Sequence, residues 1–190
     1  MKKILSLLGI LFAFSQAACA TDKTDGADNS KDAKEIHWIS FEEAEAKMKQ
    51  HPKKVLIDVY TGWCGWCKVM DKKTYSNDSL IRYVNEHYYA VKFDAEQRNA
   101  VTFQGKKWEY SAQKRVNELA VQLLQGRLSY PTTVFMDENF ENAQPMPGYL
   151  EIFQMESILK YLGGNNHKST PWQDWQHSFK PAWPTVNVNK

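Results

Sequence analysis

The sequence predicts an α/β fold: a central mixed β-sheet flanked by helices on both faces, with a hairpin–helix insert before the penultimate strand. Three observations predict it. A β-branched run, "KVLIDVY", stands between "HPK" and "TGW" and reads as a buried strand. Strands and helices alternate through the first half, which implies a parallel unit. The chain then closes on "TTVFMD" and "ENAQPMP", a hairpin that implies antiparallel pairing.

The elements follow in order. "IHWIS" is a short strand, and Ser40 opens the helix "SFEEAEAKMKQ" with Glu43 at capping-box spacing. After the "KVLIDVY" strand, "CKVMDKKTY" is helical, and Asn77 caps a second helix, "NDSLIRYVNEHY". "YAVKFDA" is the next strand. In the insert, residues 100 to 125, "VTFQGKKWEY" is a hairpin turning at Gly105. Ser111 is expected to cap a helix carrying Val116, Leu119, Ala120, Leu123 and Leu124 at helical spacing, ended by Gly126. The closing hairpin turns through Glu138 and Asn139, and Pro145 and Pro147 place its second arm at the sheet edge. "EIFQMESILKYL" is an amphipathic helix stopped by Gly163-Gly164. In the tail, Thr170 as N-cap and Pro171 at the first helical position start a short helix. Trp172, Trp175 and Phe179 then share one face, which packs on the domain or docks a partner.

Residues 1–20 have the pattern of a secretory signal: Lys2 and Lys3, an apolar run from Ile4 to Phe14, then small residues. "Ala18-Cys19-Ala20" fits cleavage after Ala20, while "Gln16-Ala17-Ala18-Cys19" is close to a bacterial lipobox that would lipidate Cys19. Either way the chain is expected to be exported. The division is a signal peptide at 1–20, a flexible linker at 21–35, a domain at 36–164 and a Trp-rich tail at 165–190. The linker "TDKTDGADNSKDAKE" has no apolar residue larger than Ala and cannot offset its ordering entropy. The formal net charge of +2 falls to zero once Lys2 and Lys3 leave with the leader. That balance gives no electrostatic case for nucleic acid.

Once Cys19 is removed or lipidated, Cys64 and Cys67 are the remaining thiols, in a compartment where disulfides persist. Structural zinc needs four ligands, and no second cysteine pair or His-x₃₋₅-His accompanies this one. Haem attachment needs a His after the second cysteine, and residue 68 is Lys. A purely structural bridge closing so small a loop adds little stability. Redox chemistry has a positive reason. Cys64 lies where strand gives way to helix, and the dipole and free N–H groups of a first turn favour thiolate. Cys67, one turn on, can resolve a mixed disulfide.

"WCGWCK" after a buried strand resembles the active site of the thioredoxin superfamily. The match extends to Asp58 in the strand before the cysteines, Lys92 in the next strand, Tyr130-Pro131-Thr132 at the cis-proline position, and Gly148 after the last strand. It covers roughly residues 36 to 162, with the 100 to 125 insert interrupting.

The resemblance implies a thioredoxin-like fold and a thiol–disulfide oxidoreductase. Cys64 would be nucleophile, Cys67 resolving thiol, and Asp58 with Lys92 a proton relay. Trp63, Gly65, Trp66, Tyr130 and Pro131 would contact substrate. Gly65-Trp66 replaces the Gly-Pro of typical thioredoxins, and Tyr130 replaces a smaller residue, so partner choice and potential are the least transferable features. No cofactor is expected beyond the redox-active pair. The expected partners are protein thiols and disulfides and an upstream electron donor, membrane-bound or not; the protein is expected to be a monomer, touching membrane only through a lipidated Cys19. A reductase is the first reading; the rivals are an oxidase or isomerase, and a module that captures clients without turnover.

Overall fold

The computed structural model describes residues 33–185. The signal peptide, Cys19 and nearly all of the proposed linker lie outside the described residues. Nine strands and six α-helices appear among the described residues, with a 3₁₀ turn at Asn166–Lys168. Five strands form the central sheet: β1 (Trp38–Ile39), β2 (Lys54–Tyr60), β3 (Tyr88–Asp94), β8 (Thr132–Met136) and β9 (Gln144–Pro147). Their spatial order is β1-β3-β2-β8-β9. β1 and β2 run parallel to β3, while β8 runs antiparallel to β2 and β9 to β8. The sheet is therefore mixed, and β9 with its two prolines is an edge strand.

β2 shows why the sheet is covered on both faces. Val55, Ile57 and Val59 point into one core with Phe41, Phe93, Phe103 and Leu119. Leu56 points into the other with Met70, Leu80, Ile81, Met155 and Leu159. This alternation is the period of two of a strand. α1 (Phe41–Met48) covers the first face together with the insert. α2 (Gly65–Lys73), α3 (Asp78–His87) and α5 (Ile152–Gly163) cover the second. Caps set several starts: Ser40 Oγ accepts from Glu43 N, and Asn77 Oδ1 accepts from Ser79 N and Leu80 N.

The insert folds differently from the sequence expectation. The hairpin is present as β4 (Val101–Phe103) and β5 (Lys106–Trp108), and both turn residues, Gln104 and Gly105, have positive φ. Ser111 is not a helix cap. It ends β6 (Tyr110–Ser111), which pairs with β7 (Val116–Asn117) around a tight turn closed by Arg115 N to Ser111 O at 2.7 Å. Helix α4 is only Glu118–Leu123, capped by Asn117, whose side chain accepts from Leu119 N. Val116 is buried as a strand residue, so its place in the apolar period was coincidental.

Two further details shift. The β8–β9 connection spans residues 137–143, longer than a turn through Glu138 and Asn139, because Phe140 folds back into the first core. The last helix, α6 (Trp172–Ser178), is capped by Pro171 rather than Thr170. Pro171 has an extended ψ of 145° and so precedes the helix, and Thr170 O accepts the Tyr161 hydroxyl instead. The tail packs on the domain: Trp172 and Trp183 join the second core, and Trp175 donates to Ser157.

Candidate redox site

β2 delivers the chain to the site. Its last residue, Tyr60, is followed by a turn in which Cys64 N donates to Thr61 O at 3.1 Å. Cys64 is then the N-cap of α2, with extended backbone, and its Sγ accepts from Cys67 N at 3.1 Å. The two sulfurs are joined in a disulfide. Both cysteines are buried to the same degree. They differ in one contact: the backbone N–H of the first turn is aimed at Cys64. Charge developing on that sulfur meets the positive end of the helix.

The surroundings are aromatic and open. Trp63 precedes Cys64 and Trp66 lies between the cysteines; they are 68% and 62% exposed. A Cβ at Gly65 would touch nothing within 4 Å among the described residues, so open space adjoins it. Trp63 meets Tyr130 edge to face at 6.0 Å and donates from Nε1 to Glu96 at 3.0 Å. Trp66 lies 5.6 Å from the Tyr149 ring. The Tyr130-Pro131 peptide is cis, and Pro131 O accepts from Gly148 N at 2.8 Å. Gly148 has φ +98°, a conformation that favours glycine. Tyr130 is pushed up to about 12, first by burial and then by the charges of Glu96 and Asp94.

Asp58 and Lys92 are brought together as cross-strand neighbours on β2 and β3. Lys92 Nζ lies 3.4 Å from Asp58 Oδ2. Asp58 is 2% exposed, and its Oδ1 has no hydrogen-bond partner among the described residues. Burial raises its pKa from 3.8 to about 6, with Lys92 opposing the rise and Asp71 adding to it. Two features escaped the sequence reading. Asp71 forms a second ion pair with Lys92, and the ammonium lies over the rings of Trp38, Tyr60 and Tyr75 at 5.3, 5.4 and 6.0 Å. The available signal for Asp71 was its spacing, four residues after Cys67 and so on the same helix face.

Fold and site together define a thioredoxin-fold protein with an oxidised Cys-x-x-Cys pair at a helix start. The chain belongs to the family whose model, Thioredox_DsbH, is described as "Protein of unknown function, DUF255" and matches residues 29–151. Among sequence relatives, "Uncharacterized protein B0495.5" of Caenorhabditis elegans is 33% identical over 64 residues, covering 33% of this chain and 9% of the relative. "Thiol:disulfide interchange protein DsbD" of Campylobacter jejuni is 28% identical over 71 residues, covering 37% of this chain and 12% of the relative. The chain thus spans about a tenth of the length of these curated relatives. The solved structure titled "DsbH Oxidoreductase" superposes with a TM-score of 0.52 at 22% identity, covering 70% of this chain and 87% of that one. That likeness shows the thioredoxin-like fold.

Proposed function

We propose that the protein is an exported thiol–disulfide oxidoreductase that reduces disulfides of client proteins. The observation that carries the reading is the position of Cys64: the N-cap of α2, its sulfur accepting an N–H of the first turn and bonded to Cys67. In the reduced protein the Cys64 thiolate attacks a client disulfide. The client S–S bond breaks, one client thiolate leaves, and a mixed disulfide forms. Cys67 gives its proton to Asp58 and attacks Cys64 Sγ, releasing the second client thiolate. Two electrons have then passed to the client, and the Cys64–Cys67 disulfide is restored. A dithiol donor upstream, delivered from the membrane in an oxidising compartment, reduces it again.

Lys92 balances the charge that the proton leaves or takes at Asp58. Trp63, Trp66 and Tyr130 offer apolar surface beside the sulfurs, and Pro131 offers backbone contacts to an extended client segment. The redox pair is its own cofactor, and the protein acts as a monomer. The "DsbD" relative is named for thiol:disulfide interchange, which supports the same class of chemistry here.

The test is dithiol-driven reduction of insulin by the protein at substoichiometric concentration. Many disulfides reduced per molecule, and none by Cys64→Ser, is the expected result. Consumption that stops at one client per molecule would instead identify a capture module.

A further inference from the structure

Lys92 is shared between two carboxylates that stand in very different surroundings. Asp58 is buried in the middle of β2, whereas the Asp71 side chain on α2 is 43% exposed. Lys92 is hydrogen-bonded to Asp71, whereas its ion pair with Asp58 Oδ2 is longer, at 3.4 Å. The ammonium therefore leans toward the solvent-facing acid. Asp58 keeps one oxygen without a partner among the described residues.

We propose that Asp71 is a positioning residue for Asp58: by pairing with Lys92 from the more exposed side it withholds part of that cation from the buried carboxyl, and so favours the protonated form of Asp58. The proposal rests on the reading of Asp58 as the proton carrier of the disulfide exchange. Asp71 acts in two ways with one sign. Its own negative charge disfavours a second one nearby, and its hold on Lys92 weakens the contact that would stabilise ionised Asp58. Placed four residues after Cys67, it lies one helical turn from the resolving thiol without touching the disulfide exchange itself.

The other groups around Asp58 leave this balance to the two ions. Lys92 comes from β3 and Asp71 from α2, and both act on Asp58 through their charges. Tyr75 follows α2 and Tyr60 ends β2; both phenols are held above their ordinary value, first by burial, and stay neutral. β8 contributes Thr133, whose hydroxyl is hydrogen-bonded to Tyr75 at 3.2 Å and carries no charge.

The experiment is a carbon-13 NMR titration of the Asp58 carboxyl in the oxidised full chain, assigned by its loss in Asp58→Asn. In Asp71→Asn the midpoint is expected to fall by about one pH unit, a tenfold loss of proton affinity. Lys92→Met should move it the opposite way, and Asp71→Glu should restore the wild-type value. An Asp58 midpoint that is unmoved or raised in Asp71→Asn would overturn the proposal. The titration needs no turnover, so an inactive wild type would count against the oxidoreductase reading alone. The acid limb of the insulin-reduction profile should follow the NMR midpoint in Asp71→Asn, an effect that loss of a surface ion pair alone would not produce.

Discussion

Burial makes the ionisation of Asp58 costly, and that cost has a pH signature. Its folded pKa of about 6 lies above the ordinary 3.8, so between those values the folded chain binds more protons than the unfolded one. Stability is then fully present below about pH 4 and falls as pH rises through 6. The difference of about two units corresponds to roughly 3 kcal/mol. Asp58→Asn removes the titrating charge while Asp71 still pairs Lys92. The variant should match wild type at pH 4 and exceed it by roughly 3 kcal/mol at pH 8 in urea unfolding. A difference that stays constant with pH would contradict the burial account. The cysteines are tested by alkylation. The reduced protein should be labelled first at Cys64, whose sulfur receives the N–H of the helix start, and Cys67→Ser should trap mixed disulfides with clients. Labelling of Cys67 first would reverse the assigned roles.

At the level of elements, the C-terminal segment is tied into the fold by a buried carboxylate. Glu156 on α5 is fully buried and accepts from Ala182 N and Trp183 N, while Lys160 Nζ pairs with it at 2.6 Å. Asn77 Nδ2 donates to Pro184 O at 2.7 Å, fastening the same segment to the start of α3. Glu156→Gln should cost about 1–3 kcal/mol, because two backbone donors and an ammonium lose their charged acceptor. Faster hydrogen exchange at Ala182 and Trp183 would report the loss, and unchanged exchange would show that packing alone holds the segment. Deleting residues 165 to 190 should destabilise further, by about 1.5–3 kcal/mol for each aromatic unburied, and leave small-disulfide reduction intact. Lost client reduction with stability retained would make the tail a docking element. β2, α2 and the caps at Ser40 and Asn77 were legible because their signals lie within a few residues. The start of α4 was misplaced because Val116 extended a helical period that its pairing with Ser111 overrides. Glu156 and Asp71 read as polar helix positions; their partners, residues 182–183 and Lys92, arrive only through tertiary packing.

On the scale of the whole molecule, the proposed function turns on the direction of electron flow. The site combines a helix start at Cys64, an uncharged Gly65-Trp66 pair between the cysteines, and an exposed aromatic rim. Cys67 N donates to Cys64 Sγ at the helix start, where the dipole would favour a thiolate once the bridge is reduced, and no residue between the cysteines adds positive charge. Under the proposed function, a modestly stabilised thiolate would leave the disulfide comparatively stable, and the pair would have a low potential and donate electrons. Wide exposure of Trp63 and Trp66 suits recognition of extended protein segments more than enclosure of a small ligand. The measurement that decides the direction is equilibration of the Cys64–Cys67 pair against glutathione or dithiothreitol buffers, read by alkylation. A reductase should show a potential near the thioredoxin value of about −270 mV, with the pair almost wholly oxidised in a buffer near −180 mV. A pair found mostly reduced in that buffer, with a potential approaching about −120 mV, would contradict the reductase reading and make the protein an oxidant.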